Sequence, residues 1–482
     1  MINEISTPPI RLESDPLYAR VAQQITRLIE EGTLRPGERI PSVRELRKHQ
    51  QVSITTVTQA YRLLESRGLI EARPQSGYYV RQHRWTPPPE PEMIRPEPRA
   101  SKVQVSDLVM DVIKATRDPS LVRFGATLPS PELFPTKELN RAMGSVARRS
   151  PTLANSYDPA PGNPGLRMQV ARRALESGCM LSPDELVITC GTTEALHLCL
   201  RAVARPGDTI AIESPTFFGI LQMIESLGMR ACEIPTYPRE GVCLDELEAR
   251  LDSCRIKACL FTLNFSNPLG SCMPDEKKKR LVEMLTEREI PLIEDDIYGN
   301  LAFGDARPKA AKAFDREGWV LLCDSFTKTL APGYRVGWTA PGRFQAQVEY
   351  LKFVSTSATA SLPQMAIADF LATGGYDHHL RKLRRFFAEQ VQWMTEAISR
   401  YFPPGTKATR PNGGQVLWVE LPAGIDSLEL YRRALLEKIS IAPGPIFSAK
   451  KKFRNFIRLN CGNSRSLRIE GAMARLGEIM GE

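Results

Sequence analysis

Lys328 lies in the run Cys323-Asp-Ser-Phe-Thr-Lys-Thr-Leu-Ala-Pro-Gly-Tyr-Arg-Val-Gly-Trp338, a small- and hydroxyl-rich segment between apolar stretches. An amine there is placed to form a Schiff base with an aldehyde cofactor. Ser325, three residues before it, and Arg335, seven after, would hold that cofactor's phosphate. A lone lysine in a loop is ordinarily a solvated charge, so this reading depends on partners elsewhere in the chain.

Four groups of the right kind precede it. Cys190-Gly191-Thr192-Thr193-Glu194-Ala195-Leu196 follows a strand-like run and opens a helical one. Thr192 and Thr193 are therefore placed to hold a phosphate at a helix start, although threonine is also an ordinary cap residue. In Glu213-Ser-Pro-Thr-Phe217 an aromatic stands just past a strand end, where it would stack on a flat ring or simply fill the core. Asn267, in Asn264-Phe-Ser-Asn-Pro-Leu-Gly270, would hydrogen-bond a phenolic oxygen, while Asn-Pro is equally turn chemistry. Glu294-Asp295-Asp296-Ile297-Tyr298 ends a fourth strand. A buried aspartate there would pair with a protonated pyridine nitrogen and keep the ring an electron sink, or these acids are merely solvated or cap a helix. Each bland alternative is reasonable alone. None explains the joint order of phosphate cap, aromatic, Asn-Pro, acid plus tyrosine, and lysine run.

The elements that must position these residues show in the hydrophobic pattern. Residues 186–189, 209–212, 258–262, 291–294 and 320–323 are short, unalternated apolar runs, as in strands buried on both faces of a largely parallel sheet. Ligand groups then gather at strand ends. The N-terminal pattern differs. Leu17–Glu31 reads as an amphipathic helix with Leu17, Val21, Ile25, Leu28 and Ile29 on one face and Gly32 at its end. After a turn at Arg35-Pro36-Gly37, Ser42 caps a second helix through Lys48, and Ser53 a third to about Arg67, where Gly68 stops it. Residues 69–72 and 78–80 alternate like two strands around the turn Arg73–Gly77. Three helices and a two-stranded wing form the winged helix-turn-helix plan. Between the two patterns, residues 82–104 include six prolines and lose apolar periodicity. Such a stretch reads as a semi-rigid spacer, roughly 70 Å long if fully extended. The expected boundaries are 14–82 for the reader, 83–104 for the linker and 105–482 for the rest.

At 482 residues two or three domains are expected, and 42% hydrophobic with 25% charged residues suits a globular chain with a substantial core. The net charge of +9 hints at a polyanionic partner without establishing one. Ten cysteines without a CxxC pair, beside only five histidines, argue against zinc or a disulfide framework and for reduced thiols. The N-terminus lacks the basic start and apolar core of a signal peptide, and no apolar run reaches bilayer-spanning length. A cytoplasmic protein with no membrane partner is expected.

From about residue 105 to 482 these motifs closely resemble the fold-type I aminotransferases that bind pyridoxal 5'-phosphate. The resemblance implies an α/β domain with a mainly parallel large sheet and a small α+β C-terminal subdomain. It implies that Lys328 forms the internal aldimine, Asp295 pairs with the pyridinium nitrogen, Asn267 and Tyr298 bind the ring oxygen, and Phe217, usually a tyrosine in the family, stacks on the ring. Thr192, Thr193, Ser325 and Arg335 would hold the phosphate. Tyr157, in Tyr157-Asp-Pro-Ala-Pro-Gly-Asn-Pro-Gly165, matches a tyrosine given to the neighbouring subunit's phosphate, which implies a homodimer. Arg458, in Ile457-Arg-Leu-Asn460, matches the arginine that takes a substrate α-carboxylate. Either Asp295 or Asp296 could face the ring; the family's spacing, three residues before the tyrosine, favours Asp295.

Residues 35–80 resemble the GntR-type winged helix through Pro-Gly, Pro-Ser-x-Arg-Glu-Leu, Val-Ser-x-x-Thr-Val, Leu-Glu-x-x-Gly-Leu-Ile and a Gly-containing wing. The resemblance implies double-stranded DNA as partner, with Ser53, Thr55, Thr56 and Gln59 in the first turns of the recognition helix. Arg44 matches a DNA-contacting arginine, and Ser76 and Gly77 would set the wing against the backbone. Ile54 and Thr58 stand where the family often carries arginine. Sequence preference would then rest on Thr, Gln, thymine-methyl contacts or DNA shape. The whole arrangement resembles the MocR-type (GabR-like) regulators. It implies a transcriptional regulator that senses an amino acid, an amine or pyridoxal phosphate itself through an aldimine at Lys328. The alternative is an active class I aminotransferase working between an amino acid and a 2-oxo acid.

Overall fold

The computed structural model describes residues 16–30, 33–35, 37–66, 69–73, 76–81, 86–115, 118–304 and 306–482. Gly32, Pro36, Gly68, Pro74 and Gln75, read above as helix stops and turn residues, lie outside that set, as do residues 14–15 and 82–85. The chain divides into two units, Met1–Thr86 and Pro87–Glu482.

The first unit runs α1 (Leu17–Glu30), α2 (Val43–Gln50), α3 (Ile54–Ser66), β1 (Ile70–Arg73) and β2 (Gly77–Val80). Its α2 starts where Ser42 Oγ accepts from the Glu45 amide (3.3 Å) and Glu45 returns the bond to the Ser42 amide (2.7 Å), a reciprocal cap that satisfies two orphan donors. It stops at Gln51, which adopts a left-handed φ of 52°. The apolar faces of the helices, with Ile25, Val57, Tyr61 and Leu64 among them, close on Ile70 and Val80 of the antiparallel wing. Tyr61 is fully buried and donates to the Pro41 carbonyl at 2.5 Å, so the helix-turn-helix carries its own core.

In the second unit α4 (Ser106–Ala115) and β3 (Val122–Arg123) precede the main sheet. That sheet is built from β4 (Val187–Thr189), β5 (Thr209–Ser214), β6 (Arg230–Tyr237), β7 (Gly241–Val242), β8 (Ile256–Phe261), β9 (Leu292–Asp295), β10 (Val320–Ser325) and β11 (Gly337–Ala340). Their order is β4-β11-β10-β9-β8-β5-β6-β7. The central β10, β9, β8, β5 and β6 are mutually parallel, whereas β11 and β7 pair antiparallel with their neighbours. Buried on both faces, these strands read as continuous apolar runs because helices cover them above and below. A smaller antiparallel sheet, β12 (Lys407–Ala408), β13 (Val416–Glu420), β15 (Ala442–Pro443) and β16 (Phe456–Asn460), follows, with β14 (Ile439–Ser440) pairing β3. Helices Gly375–Tyr401, Ser427–Leu436 and Leu467–Gly481 pack on it around Val419, Ile457 and Leu459.

The proline-rich stretch departs from the expected spacer. From Pro88 on it is docked on the second unit. Pro89 O accepts from the Ala408 amide (2.9 Å), and Glu90 takes Arg239 Nε (2.5 Å) and the Arg410 amide (3.1 Å). Lys450 Nζ donates to Glu97 (2.5 Å), and Ser101 exchanges two 2.9 Å backbone bonds with Ala231 of β6. Pro88, Pro91 and Pro96 are buried. Proline gives up the donor that a strand needs, but its carbonyl and ring still pack, so the segment lies as a strap against a sheet edge.

Candidate cofactor site and DNA-reading surface

A cavity of about 520 Å³ opens at the carboxyl ends of the parallel strands, where a doubly wound sheet gathers ligand groups. Thr192, Thr193, Phe217, Asn267, Asp295, Tyr298, Lys328 and Arg335 all line it. The topology explains their convergence: Asp295 ends β9, Asn267 follows β8, and Phe217 caps the helix Phe218–Ser226 after β5.

At one end Gly191, with φ 79°, turns the chain from β4 into the helix Thr192–Val203. A Cβ at this glycine would stand 2.5 Å from Arg335 Nη2, so only glycine lets that guanidinium reach the Cys190 carbonyl (3.0 Å). Thr192 Oγ1 is buried without a hydrogen-bond partner at this helix N-terminus. Orphan amides, an orphan hydroxyl and an arginine make a cup for a phosphate.

At the other end burial pushes the Asp295 carboxyl up to about 7 and the Lys328 amine down to about 8. Desolvation penalises both charged forms, and each partly offsets the other. Lys328 Nζ lies 5.9 Å from the Tyr298 ring centroid. Asn267 Nδ2 donates to the Tyr298 hydroxyl at 3.3 Å, and burial holds that phenol protonated. Asp296 turns away, accepting from Asn264 Nδ2 (2.8 Å) and pairing with Arg307. It is therefore Asp295 that faces the cavity. An orphaned phosphate cup, a buried acid, an amide–phenol pair and a neutralisable amine fit pyridoxal phosphate group by group.

Ser325, Tyr157 and Arg458 do not line this cavity. Ser325 is buried, with its Oγ accepting from the Thr327 amide (3.3 Å), and it lines a separate small cavity beside Asp324 and Arg307. Tyr157 is 88% exposed and is not part of the cavity wall. Arg458 is fully buried behind the wall, its fork spent on Thr127 Oγ1, the Gly125 carbonyl and Asn267 Oδ1. The motif reading passed over Thr127, whose carbonyl accepts from Lys328 Nζ (2.5 Å) and Gln415 Nε2 (3.2 Å). It also passed over Glu213, pushed up to about 8 by burial, which accepts from the Thr262 amide at 3.0 Å. Glu213 stood in the quoted aromatic run; Thr127 carried no local signal.

In the first unit, Ser53 Oγ accepts from the Thr56 amide (3.0 Å) and shares a hydrogen with Thr56 Oγ1 (2.8 Å), so both hydroxyls serve the α3 cap. Ser76 Oγ is 2.6 Å from the Tyr79 hydroxyl, and Gly77 holds φ 104° in the wing. Thr55 and Gln59 are exposed on α3, as is Ile54 beside them. Arg44 is exposed on α2 and forms no ion pair among the described residues; Glu45 and Glu65 bond to backbone amides instead. No described helix is long and apolar enough to cross a membrane.

Known proteins share both units. The aminotransferase class I and II model matches residues 133–476, and the model of bacterial regulatory proteins of the gntR family matches residues 17–80. An uncharacterized HTH-type transcriptional regulator of Escherichia coli (strain K12), YdcR, is 41% identical over 96% of this chain and 99% of its own length. The 2-aminoadipate transaminase of Thermus thermophilus is 33% identical over 79% of this chain and 95% of its own. Among solved structures, LysN, the α-aminoadipate aminotransferase of Thermus thermophilus complexed with N-(5'-phosphopyridoxyl)-L-leucine, superposes with a TM-score of 0.72. It is 31% identical and covers 77% of this chain and 94% of that one.

Proposed function

The chain belongs to the HTH-type transcriptional regulators that join a gntR-family reader to a class I and II aminotransferase domain, and we infer that it is a pyridoxal phosphate-dependent DNA-binding regulator. The observation that carries this reading is the convergence of eight cofactor-type residues on one cavity in a chain that also bears a complete reader. Bound there, pyridoxal phosphate supplies an aldehyde for an amine and a ring that withdraws electrons.

The protein's own groups do the rest. Lys328, with its amine held near 8 by burial, gives up a proton readily and presents a nucleophile. Asp295 holds a proton at the ring nitrogen, Asn267 and Tyr298 position the ring oxygen, and Thr192, Thr193 and Arg335 take the phosphate. Arg458 takes an effector carboxylate, so the effector class is a free amino acid, with amines and the cofactor itself as the remaining candidates. Transaminases among the relatives support amino acids as ligands. In the reader, Arg44, Thr55 and Gln59 face DNA, with Ser53, Thr56, Ser76 and Gly77 shaping helix and wing. Ile54, 49% exposed, is suited to a thymine methyl.

A homodimer and a cytoplasmic location complete the proposal. Leu153, Tyr157, Tyr350, Phe353 and Val354 are large exposed apolar side chains of the kind a second copy would cover. Gel shifts on DNA upstream of the chain's own gene test the reading. The expected result is specific binding whose affinity changes with an amino acid that also shifts the visible band of bound cofactor, with both responses lost in Lys328→Ala. Brisk turnover with a 2-oxo acid, with DNA affinity indifferent to every such amino acid, would hand the case to the aminotransferase alternative.

A further inference from the structure

Five N–H donors of a fully buried guanidinium need acceptors, and Arg458 finds only neutral ones. Nη1 donates to Thr127 Oγ1 and, at 3.3 Å, to Asn267 Oδ1; Nη2 donates to the Gly125 carbonyl; Nε has no partner. Lys328 Nζ meanwhile donates to the carbonyl of that same Thr127 at 2.5 Å. Both cations of the site thus converge on one residue, itself only 9% exposed. Neither Arg458 nor Thr127 is on the cavity wall, so the arginine is closed off from the space beside Lys328.

We propose that Thr127 is an internal surrogate for a ligand carboxylate, and that its displacement from Arg458 sets the affinity for amino acids over amines that lack the carboxylate. This rests on the reading of Arg458 as the carboxylate anchor. A carboxylate is a charged, two-pronged acceptor for a guanidinium fork, whereas a hydroxyl and a carbonyl are neutral single acceptors. The incoming acid therefore outcompetes them but must still break their bonds. A ligand amine without a carboxylate has nothing to offer Arg458 and leaves Thr127 in place.

The fold confines the movement to a short bend. Phe124 is pinned through its carbonyl to the Asn460 amide (2.8 Å), and Leu128 and Ser130 are pinned to Asn460 Nδ2 (3.1 Å) and the Gly462 carbonyl (2.9 Å). Gly125 has no room to carry a side chain, since its Cβ would stand 2.7 Å from the Ile441 carbonyl. Between these pins the stretch is held by the contacts of Gly125 and Thr127 to Arg458, Lys328 and Gln415, with Thr127 next to the Leu128 pin. With the Lys328 amine engaged by a bound cofactor, the Thr127 carbonyl would keep only Gln415 Nε2 of its two donors. The pinned ends connect the bend back through β3 to α4 and the docked strap.

The test measures dissociation constants by titrating the visible band of the cofactor-loaded full chain, with a series of amino acids and with the amines formally derived from them by loss of carbon dioxide. Thr127→Val keeps shape but removes the acceptor, leaving Arg458 Nη1 nearly unpartnered in the ligand-free protein. Amino acids should then bind about three- to tenfold more tightly, the amines should be unchanged, and Thr127→Ser should behave as the natural protein. A Thr127→Val effect that is absent, reversed or equal for amines and amino acids overturns the proposal while leaving the effector reading intact, provided the natural protein binds amino acids. Amines that bind where no amino acid binds either protein would overturn both. If Thr127→Val fails to fold, the crystal structure of the loaded natural protein with a binding amino acid decides: a ligand carboxylate on Arg458 with Thr127 withdrawn supports the surrogate, and an unmoved Thr127–Arg458 contact refutes it.

Discussion

Asp295 and Lys328 show what a binding site costs its residues. Asp295 is buried and Lys328 half-buried, and desolvation pushes each toward its neutral form. For Asp295 the folded value near 7 exceeds the ordinary carboxylate value, so the folded protein binds more protons between about pH 4 and 7 and loses stability as pH rises through that window. Asp295→Asn removes the ionisable group but retains an acceptor for the Ile297 amide, 3.3 Å away. In cofactor-free protein the variant should be more stable than the natural chain by the order of 1–3 kcal/mol at pH 8, and the gain should shrink steadily toward pH 4. Calorimetry at several pH values measures it, and the variant should hold cofactor less tightly at every one. A gain independent of pH would show that Asp295 is not held as described. The type and spacing of this residue were legible in the sequence because strand ends deliver them to one place. Thr127 was not, because its role comes from a bend that meets Arg458 across 331 positions of chain.

Elements were legible where a local rule set them. Ser42 and Glu45 write a capping box into the sequence, and α2 begins there. Ser42→Ala should lower the stability of the reader by about 1 kcal/mol, seen as a shift in its urea midpoint while the cofactor band of the second unit stays unmoved; an unmoved reader midpoint would show the cap to be idle. The strands appeared as short apolar runs, though β5 extends two residues past the expected run, through Glu213 and Ser214, and carries Glu213 to the Thr262 amide. The docking of the strap was not legible, because composition is silent on it. Prolines with charges between them suit a solvated spacer and an edge-lying strap equally well. Only long-range partners such as Ala408, Arg410 and Ala231, over a hundred positions away in sequence, separate the two.

At the scale of the molecule, the strap decides where the protein can be divided. The first unit owns its core, so removing the chain through Thr86 should abolish specific DNA binding yet leave the cofactor band intact. Starting instead at Ser106 is a different operation. It strips the Ser101–Ala231 pairing from β6, whose free edge β7 covers only at Thr236 and Tyr237, and it removes Val103 and Val105, which are 4% and 1% exposed against the main core. Burying a valine contributes roughly 1.5–3 kcal/mol, and an uncovered edge strand invites pairing between molecules. The shorter protein should therefore unfold at least about 3 kcal/mol more easily than the one starting at Pro87 and should aggregate on standing, even though neither contains the reader. Paired denaturation and light-scattering measurements on the two truncations check this. Equal stability would return residues 87–105 to the role of a spacer. The expected inequality would mean that residues 87–105 belong to the cofactor unit itself, extending the cover of its sheet at Ala231.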